Sequence, residues 1–134
     1  MDEKATEYIR SQMPLCGTLG MRAIELSPAK VVLEMDWAAE LCTANGLLHG
    51  GALMALADAS GGACAAANLP EGAVGTSTIE SKTNFLGAVK GGTVAATTTP
   101  LHVGGSTIVV ETELRCGEKL VGKTTQTQTV LRPR

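Results

Sequence analysis

Asp58 and His49 are the residues of this chain best placed to do chemistry. Asp58 is the one charged residue inside an apolar, alanine-rich run, and His49 stands at the entrance of that run, followed at once by Gly50 and Gly51. The whole stretch from Cys42 to Ala67 reads CTANGLLHGGALMALADASGGACAAA, a short turn-like half and then a half long enough for one helix. A buried core helix accounts for the alanines and leucines. It accounts poorly for Asp58, because a lone carboxylate in an apolar interior is costly unless something satisfies or uses it. A carboxylate that is used takes a proton or attacks an electrophile. No other stretch sets polar groups in so apolar a surrounding.

On a helix, Gly51, Asp58 and Gly62 fall near one azimuth, since seven residues make almost two turns. That stripe of small residues lets another chain or a ligand come close. Leu53, Leu56 and Ser60, with Ala57 beside them, form a different side that can press onto a sheet. Asn68, Pro70 and Gly72 stop the helix.

The elements around it follow from the chain in order. Residues 2–13 predict a short surface helix: acidic residues come first, Ala5, Tyr8 and Ile9 fall on one side, no cap is evident and Pro14 ends it. Leu15, Cys16 and Gly17 read as loop. From Met21 the period shifts toward two. Met21 to Leu26 and Lys30 to Trp37 predict a hairpin turned at Ser27-Pro28, with Val31, Leu33 and Met35 on one face. After the helix come four strand-like runs: Val74 to Leu86, Thr93 to Val103, Thr107 to Arg115 and Lys119 to Leu131. Ten of the forty residues from Gly91 to Val130 are threonines, which favours sheet. The three links between these runs are short and contain glycine, so the expectation is a meander of hairpins. Pro100 marks an edge, a bulge or a break in its run.

Composition narrows the function classes. At 134 residues the chain suits a single domain, 1–134, with one core. A net charge of -2 and the lack of any Lys/Arg block argue against a nucleic-acid partner. Aromatics make up only 2%, as Tyr8, Trp37 and Phe85, so aliphatic residues must build the core. Cys16, Cys42, Cys64 and Cys116 are widely spaced, without metal-ligand spacing, and read as small buried hydrophobes. With only two histidines, no metal site is expected. No signal-like or membrane-spanning run is seen, so a cytoplasmic protein without a membrane partner is expected. His102, beside Pro100 and the Gly104-Gly105 turn, reads as a surface or edge residue.

His49-Gly50-Gly51, then Ala52-Leu53 and Ala57-Asp58, together with Thr83-Asn84-Phe85-Leu86 and Gly91-Gly92, carry a family likeness. The chain resembles the hotdog-fold acyl-CoA thioesterases of the phenylacetic-acid-pathway type, related to the Arthrobacter 4-hydroxybenzoyl-CoA enzyme, over roughly Gly20 to Val130. HGG alone is a weak signal. HGG with an acid nine residues after the histidine, in this strand–helix–strand setting, is fairly specific. The resemblance implies an α+β hotdog fold, a curved antiparallel sheet wrapped around one long central helix. It implies a homo-oligomer, a dimer of dimers, with two sites at each dimer interface.

The same resemblance assigns roles. The Gly50 backbone N–H polarises the thioester carbonyl, a task suited to a helix start, whose first N–H groups lack intrahelical partners. His49 shapes that turn and hydrogen-bonds near the thioester. Asp58, from the opposing subunit, is nucleophile or base for water, and Thr78 matches a serine that helps position water. Gly51 and Phe85 join the substrate-binding set. Relatives commonly carry an asparagine six residues before the histidine; here that position is Thr43, and either Asn45 replaces the amide or the loop differs. Lys82, Lys90 and Arg115 are the basic residues available for the CoA phosphates. Coenzyme A belongs to the substrate, so no separate cofactor is expected. The alternatives are an enoyl-CoA hydratase on the same fold, which needs an acid–base pair across the alkene, and a non-catalytic acyl-CoA-binding oligomer.

Overall fold

A computed structural model describes residues 1–134. The period-two run after residue 21 folds as β1 (Arg22–Leu26) and β2 (Val31–Asp36), an antiparallel hairpin. Val31, Leu33 and Met35 are fully buried, while Asp36 at the strand end is exposed. There Arg22 forks onto Asp36 at 2.9 and 3.1 Å. Together with the Thr93 hydroxyl, this holds the Asp36 carboxyl below the ordinary range.

The apolar run forms an 18-residue helix, Gly50–Ala67. Counting from the N-terminus it is α3, after α1 (Glu3–Gln12) and α2 (Pro14–Thr18). Leu53, Leu56, Ala57, Ser60 and Cys64 lie on its buried side against the sheet, as their spacing predicts. Full burial of a leucine such as Leu56 contributes about 1.5–3 kcal/mol. Asn68 ends the helix; its amide donates to the carbonyls of Cys64 and Pro28, both at 2.8 Å. No helix is long and apolar enough to cross a membrane.

The later strands are β3 (Gly75–Phe85), β4 (Thr93–Val103), β5 (Thr107–Cys116) and β6 (Lys119–Leu131). All pairings are antiparallel, in the order β1-β2-β4-β5-β6-β3. The sheet wraps α3, and the buried apolar residues form one cluster. The expected meander holds for β4, β5 and β6 but not for β3. That strand pairs with β6, at the far edge from β1. Residues 86–92 are therefore a crossing and not a hairpin turn. They pass the end of the β5–β6 hairpin, with Leu86 and Gly87 N–H groups on Val121 O, Lys119 on Ala88 O, and Leu48 N–H on Val89 O. Val89, within the crossing, is buried. A short glycine-bearing link looks the same in sequence whether it turns or crosses. The Pro100 signal resolves as a bulge, the register slipping between Pro100 and His102, and His102 is exposed.

The N-terminus departs from expectation in three details. Asp2 is a cap after all, its carboxylate accepting from Ala5 N–H at 3.0 Å. Pro14 ends α1 and also starts α2, where the sequence reads as loop, because proline suits a first helical position. Tyr8 is exposed, while Ala5, Thr6 and Ile9 face inward. Thr6 Oγ1 accepts from Ala23 N–H at 2.9 Å, so α1 covers the outer edge of β1.

Only two of the four cysteines are fully buried, Cys16 and Cys64; Cys42 and Cys116 are half-buried. Burial pushes the Cys16 and Cys64 thiols up. Since the thiolate is the reactive form, a disulfide-exchange reagent at pH 8 is expected to titrate Cys42 and Cys116 on the native protein. Cys16 and Cys64 react only after denaturation. Prompt titration of all four thiols without denaturant would contradict the packing described.

Candidate active site

The start of α3 is built by the HGG turn. His49 is the N-cap, with extended angles (φ -63°, ψ 135°), and its Nδ1 accepts from Gly51 N–H at 2.7 Å. Accepting at Nδ1 assigns the neutral ring's proton to Nε2, which is left to face outward. A Cβ at position 51 would lie 2.9 Å from His49 Nδ1, so glycine is what lets the ring fold over the helix end. The Gly50 N–H makes no hydrogen bond within the chain. Phe85, at the end of β3, lies against Gly50: a Cβ there would sit 3.0 Å from the ring.

The loop leading in is closed by a bridge between Cys42 and Leu48. Thr43, beside that bridge, is exposed and its N–H bonds Leu47 O. Asn45 lies at the loop's tip with φ 64°, ψ 25°, a left-handed conformation that asparagine tolerates well. Its side chain makes no hydrogen bond within the chain, and its backbone angles alone already suit asparagine. Trp37 Nε1 donates to Gly46 O at 3.0 Å and pins the tip.

Asp58 lies two turns further along α3. It is not the buried lone carboxylate that the sequence suggests. It is exposed in the single chain and already hydrogen-bonded: its Oδ1 accepts from Gln126 Nε2 at 2.7 Å and from Thr78 Oγ1 at 3.2 Å. Its Oδ2 has no partner in the chain. Thr78 Oγ1 in turn accepts from Gln128 Nε2 at 2.6 Å and from Gln126 Nε2 at 3.2 Å. Gln126 and Gln128 are both buried, contrary to the expectation that only the helix run surrounds polar groups with apolar ones. Their signal was the alternation Thr124, Gln126, Gln128, Val130 on one face of a strand paired on both sides.

Asp58 and Thr78 open onto a cleft of about 490 Å³. It runs along α3 past Gly62, Ala63, Ala66 and Ala67 and is walled by Tyr8, Ile9, Met13 and Leu26. Its volume falls in the roughly 300–1,000 Å³ range of small-molecule sites. The predicted site residues therefore form two groups in one chain. His49, Gly50, Gly51 and Phe85 gather at the helix start; Asp58 and Thr78 gather at its middle. Lys82 and Lys90 are exposed and form no ion pair, whereas Arg115 is engaged by the Glu113 carboxylate and Glu118 O.

The thioesterase superfamily model matches residues 45–123, which hold both groups. The chain belongs to the thioesterase superfamily. It is also 34% identical to ComA2 of Bacillus subtilis, described as a candidate esterase, over 71% of this chain and 75% of that one. Among solved structures, a thioesterase of Haemophilus influenzae superposes with a TM-score of 0.82 at 25% identity, covering 92% of this chain and 90% of the other. A variant of the phenylacetic acid degradation protein PaaI of Thermus thermophilus gives a TM-score of 0.81 at 24% identity, covering 88% and 99%; at that identity the likeness concerns the fold. The six-stranded antiparallel sheet around one long helix is thus a hotdog fold, and the protein is a hydrolase acting on thioesters.

Proposed function

We propose that this thioesterase hydrolyses aryl or medium-chain acyl-CoA thioesters to the free acid and CoA, with Asp58 as nucleophile or general base. The observation that carries the reading is the state of Asp58: one carboxylate oxygen held, the other unpartnered, on the wall of a cleft lined in large part by apolar residues. In the base route Oδ2 takes a proton from water as its oxygen attacks the carbonyl carbon. In the nucleophilic route Oδ2 attacks directly, forming a mixed anhydride that water then cleaves. In both, the C–S bond breaks, sulfur leaves as the thiolate of CoA, and negative charge gathers on the carbonyl oxygen. The unpartnered Gly50 N–H suits that oxygen. Thr78 acts through the carboxylate, and Lys82 and Lys90, exposed and in no ion pair, are the cations proposed for the CoA phosphates.

Gly50 and Asp58 are eight residues apart on one helix, about 12 Å along its axis. They cannot both reach one thioester carbonyl from the same chain, so the reading requires a second copy. The edge of β3 suits that role. It is long, uncovered, and flanked by exposed apolar side chains, Ile79 at 62% and Phe85 at 50%. The opposite edge, β1, is short and capped by α1. A homodimer joined through β3, pairing again into a tetramer, completes the arrangement.

A thiol-release assay over a panel of acyl-CoA thioesters tests the reading, with sedimentation on the same protein. Turnover of phenylacetyl-, hydroxybenzoyl- or medium-chain acyl-CoA by a species larger than 13.7 kDa is expected. Efficient turnover of acetyl-CoA alone would overturn the substrate class, and a sole 13.7 kDa species would overturn the shared site.

A further inference from the structure

Gln126 and Gln128 lie beyond the residues 45–123 matched by the family model. Yet both end in the same place, and their hydrogen bonds have a direction. A hydroxyl has one hydrogen and two acceptor lone pairs. On Thr78 both acceptor positions are taken, by Gln126 Nε2 at 3.2 Å and Gln128 Nε2 at 2.6 Å. Its hydrogen is therefore committed to Asp58 Oδ1 at 3.2 Å. Gln126 spends its second amide hydrogen on the same Oδ1, at 2.7 Å. Both donors that reach Asp58, Gln126 Nε2 and Thr78 Oγ1, thus end on one oxygen, Oδ1, and the amide of Gln128 reaches it only through Thr78.

Gln126 does this at a cost to packing. It is 1% exposed, and its Oε1 is the one buried side-chain polar atom without a partner. That oxygen lies against Gly61, where a Cβ would overlap it. The reversed amide would set Oε1 against the carboxylate, acceptor facing acceptor, so the donor end must point at Asp58. Leaving a buried acceptor unpaired is unfavourable, and an apolar side chain of similar length would avoid it. The glutamine is explained by what its other end holds.

We infer that Gln126 is a positioning residue for hydrolysis: through Oδ1 it fixes the Asp58 rotamer so that Oδ2 is the atom presented to the thioester or to water. This rests on Asp58 being the working carboxylate. Gly61 is part of the same device, since only glycine leaves room for Gln126 under the helix.

Gln126→Met tests it, because methionine keeps the length and loses the donor. The variant is expected to assemble like the parent with a Tm equal or higher, since the starved acceptor is gone. Its kcat should fall about 10- to 100-fold, as for a misplaced reacting group, with KM within about twofold of the parent. In an Asp58→Asn background the same change should lower kcat by less than about twofold, because Gln126 acts only through Asp58. Should the methionine variant fail to assemble, Gly61→Ala gives the reading instead, by displacing Gln126 while retaining it. A kcat within twofold of the parent for the assembled variant, or losses that add in the double variant, would overturn the inference. If Asp58→Asn is inactive while Gln126→Met is fully active, this inference alone fails. If Asp58→Asn is fully active, the reading of Asp58 fails as well.

Discussion

Asp58→Asn is expected to fold and assemble like the parent and to lose about 100-fold or more in kcat, the order associated with removing a positioned base. The local geometry makes the substitution clean. Both donors that hold the carboxylate, Gln126 Nε2 and Thr78 Oγ1, end on Oδ1. The asparagine carbonyl oxygen accepts both in that place, so the cluster under α3 keeps its bonds. Only the unpartnered Oδ2 changes, from a charged acceptor to an amide nitrogen that neither takes a proton nor attacks a carbonyl. A purely structural aspartate would show the opposite pattern, with turnover surviving in whatever folds. The decisive readings are kcat with the best acyl-CoA of the panel and sedimentation of the same preparation. A kcat within threefold of the parent, in an assembled protein, would remove Asp58 from the mechanism. Because the cleft and the Gly50 amide remain, KM should change little.

How far the chain disclosed this arrangement depended on whether the signal was local. The helix, its buried side and its stop at Asn68 follow from spacing within one segment, and the structure agrees at Leu53, Leu56, Ala57 and Ser60. Val31, Leu33 and Met35 are equally local. The partnership of β3 is not. Nothing in residues 86–92 distinguishes a turn from a crossing; Val89 under the helix entrance decides it, and its partner Leu48 is far away in the chain. A charge that interrupts an apolar run marks Asp58 out, but the groups that hold it, Thr78 and Gln126, lie on β3 and β6. Gln126 was hidden among the threonines of a run that reads as an ordinary polar strand. Its meaning needs the pairing of β6 on both sides, which turns that face inward. Asn45 shows the reverse: the resemblance offers it as the replacement for the amide missing at Thr43, and only the structure adds that its left-handed angles are ones asparagine tolerates well.

Gly50→Pro, set against Gly50→Ala, isolates the amide at the helix start. Gly50 is the first residue of α3, where proline is well tolerated because no intrahelical bond uses that N–H. The preceding residue, His49, already has the extended angles that a following proline demands (φ -63°, ψ 135°). Proline therefore deletes the N–H while the helix can still start there. Either new side chain meets Phe85, whose ring lies 3.0 Å from a Cβ at this position. That ring is half exposed and can give way, and the displacement is common to both variants, so it cancels in the comparison. Alanine retains the donor. The expected result is that alanine keeps kcat/KM within about tenfold of the parent while proline loses about 100- to 1,000-fold, the range seen when one oxyanion-stabilising donor is removed. A 100-fold loss corresponds to about 2.7 kcal/mol of transition-state stabilisation. Circular dichroism and sedimentation should show both variants folded and assembled. Equal activity of the two would mean that the carbonyl oxygen meets a different donor. In that case the outward-facing Nε2–H of His49 is the next group to test, by His49→Gln measured with the same substrate.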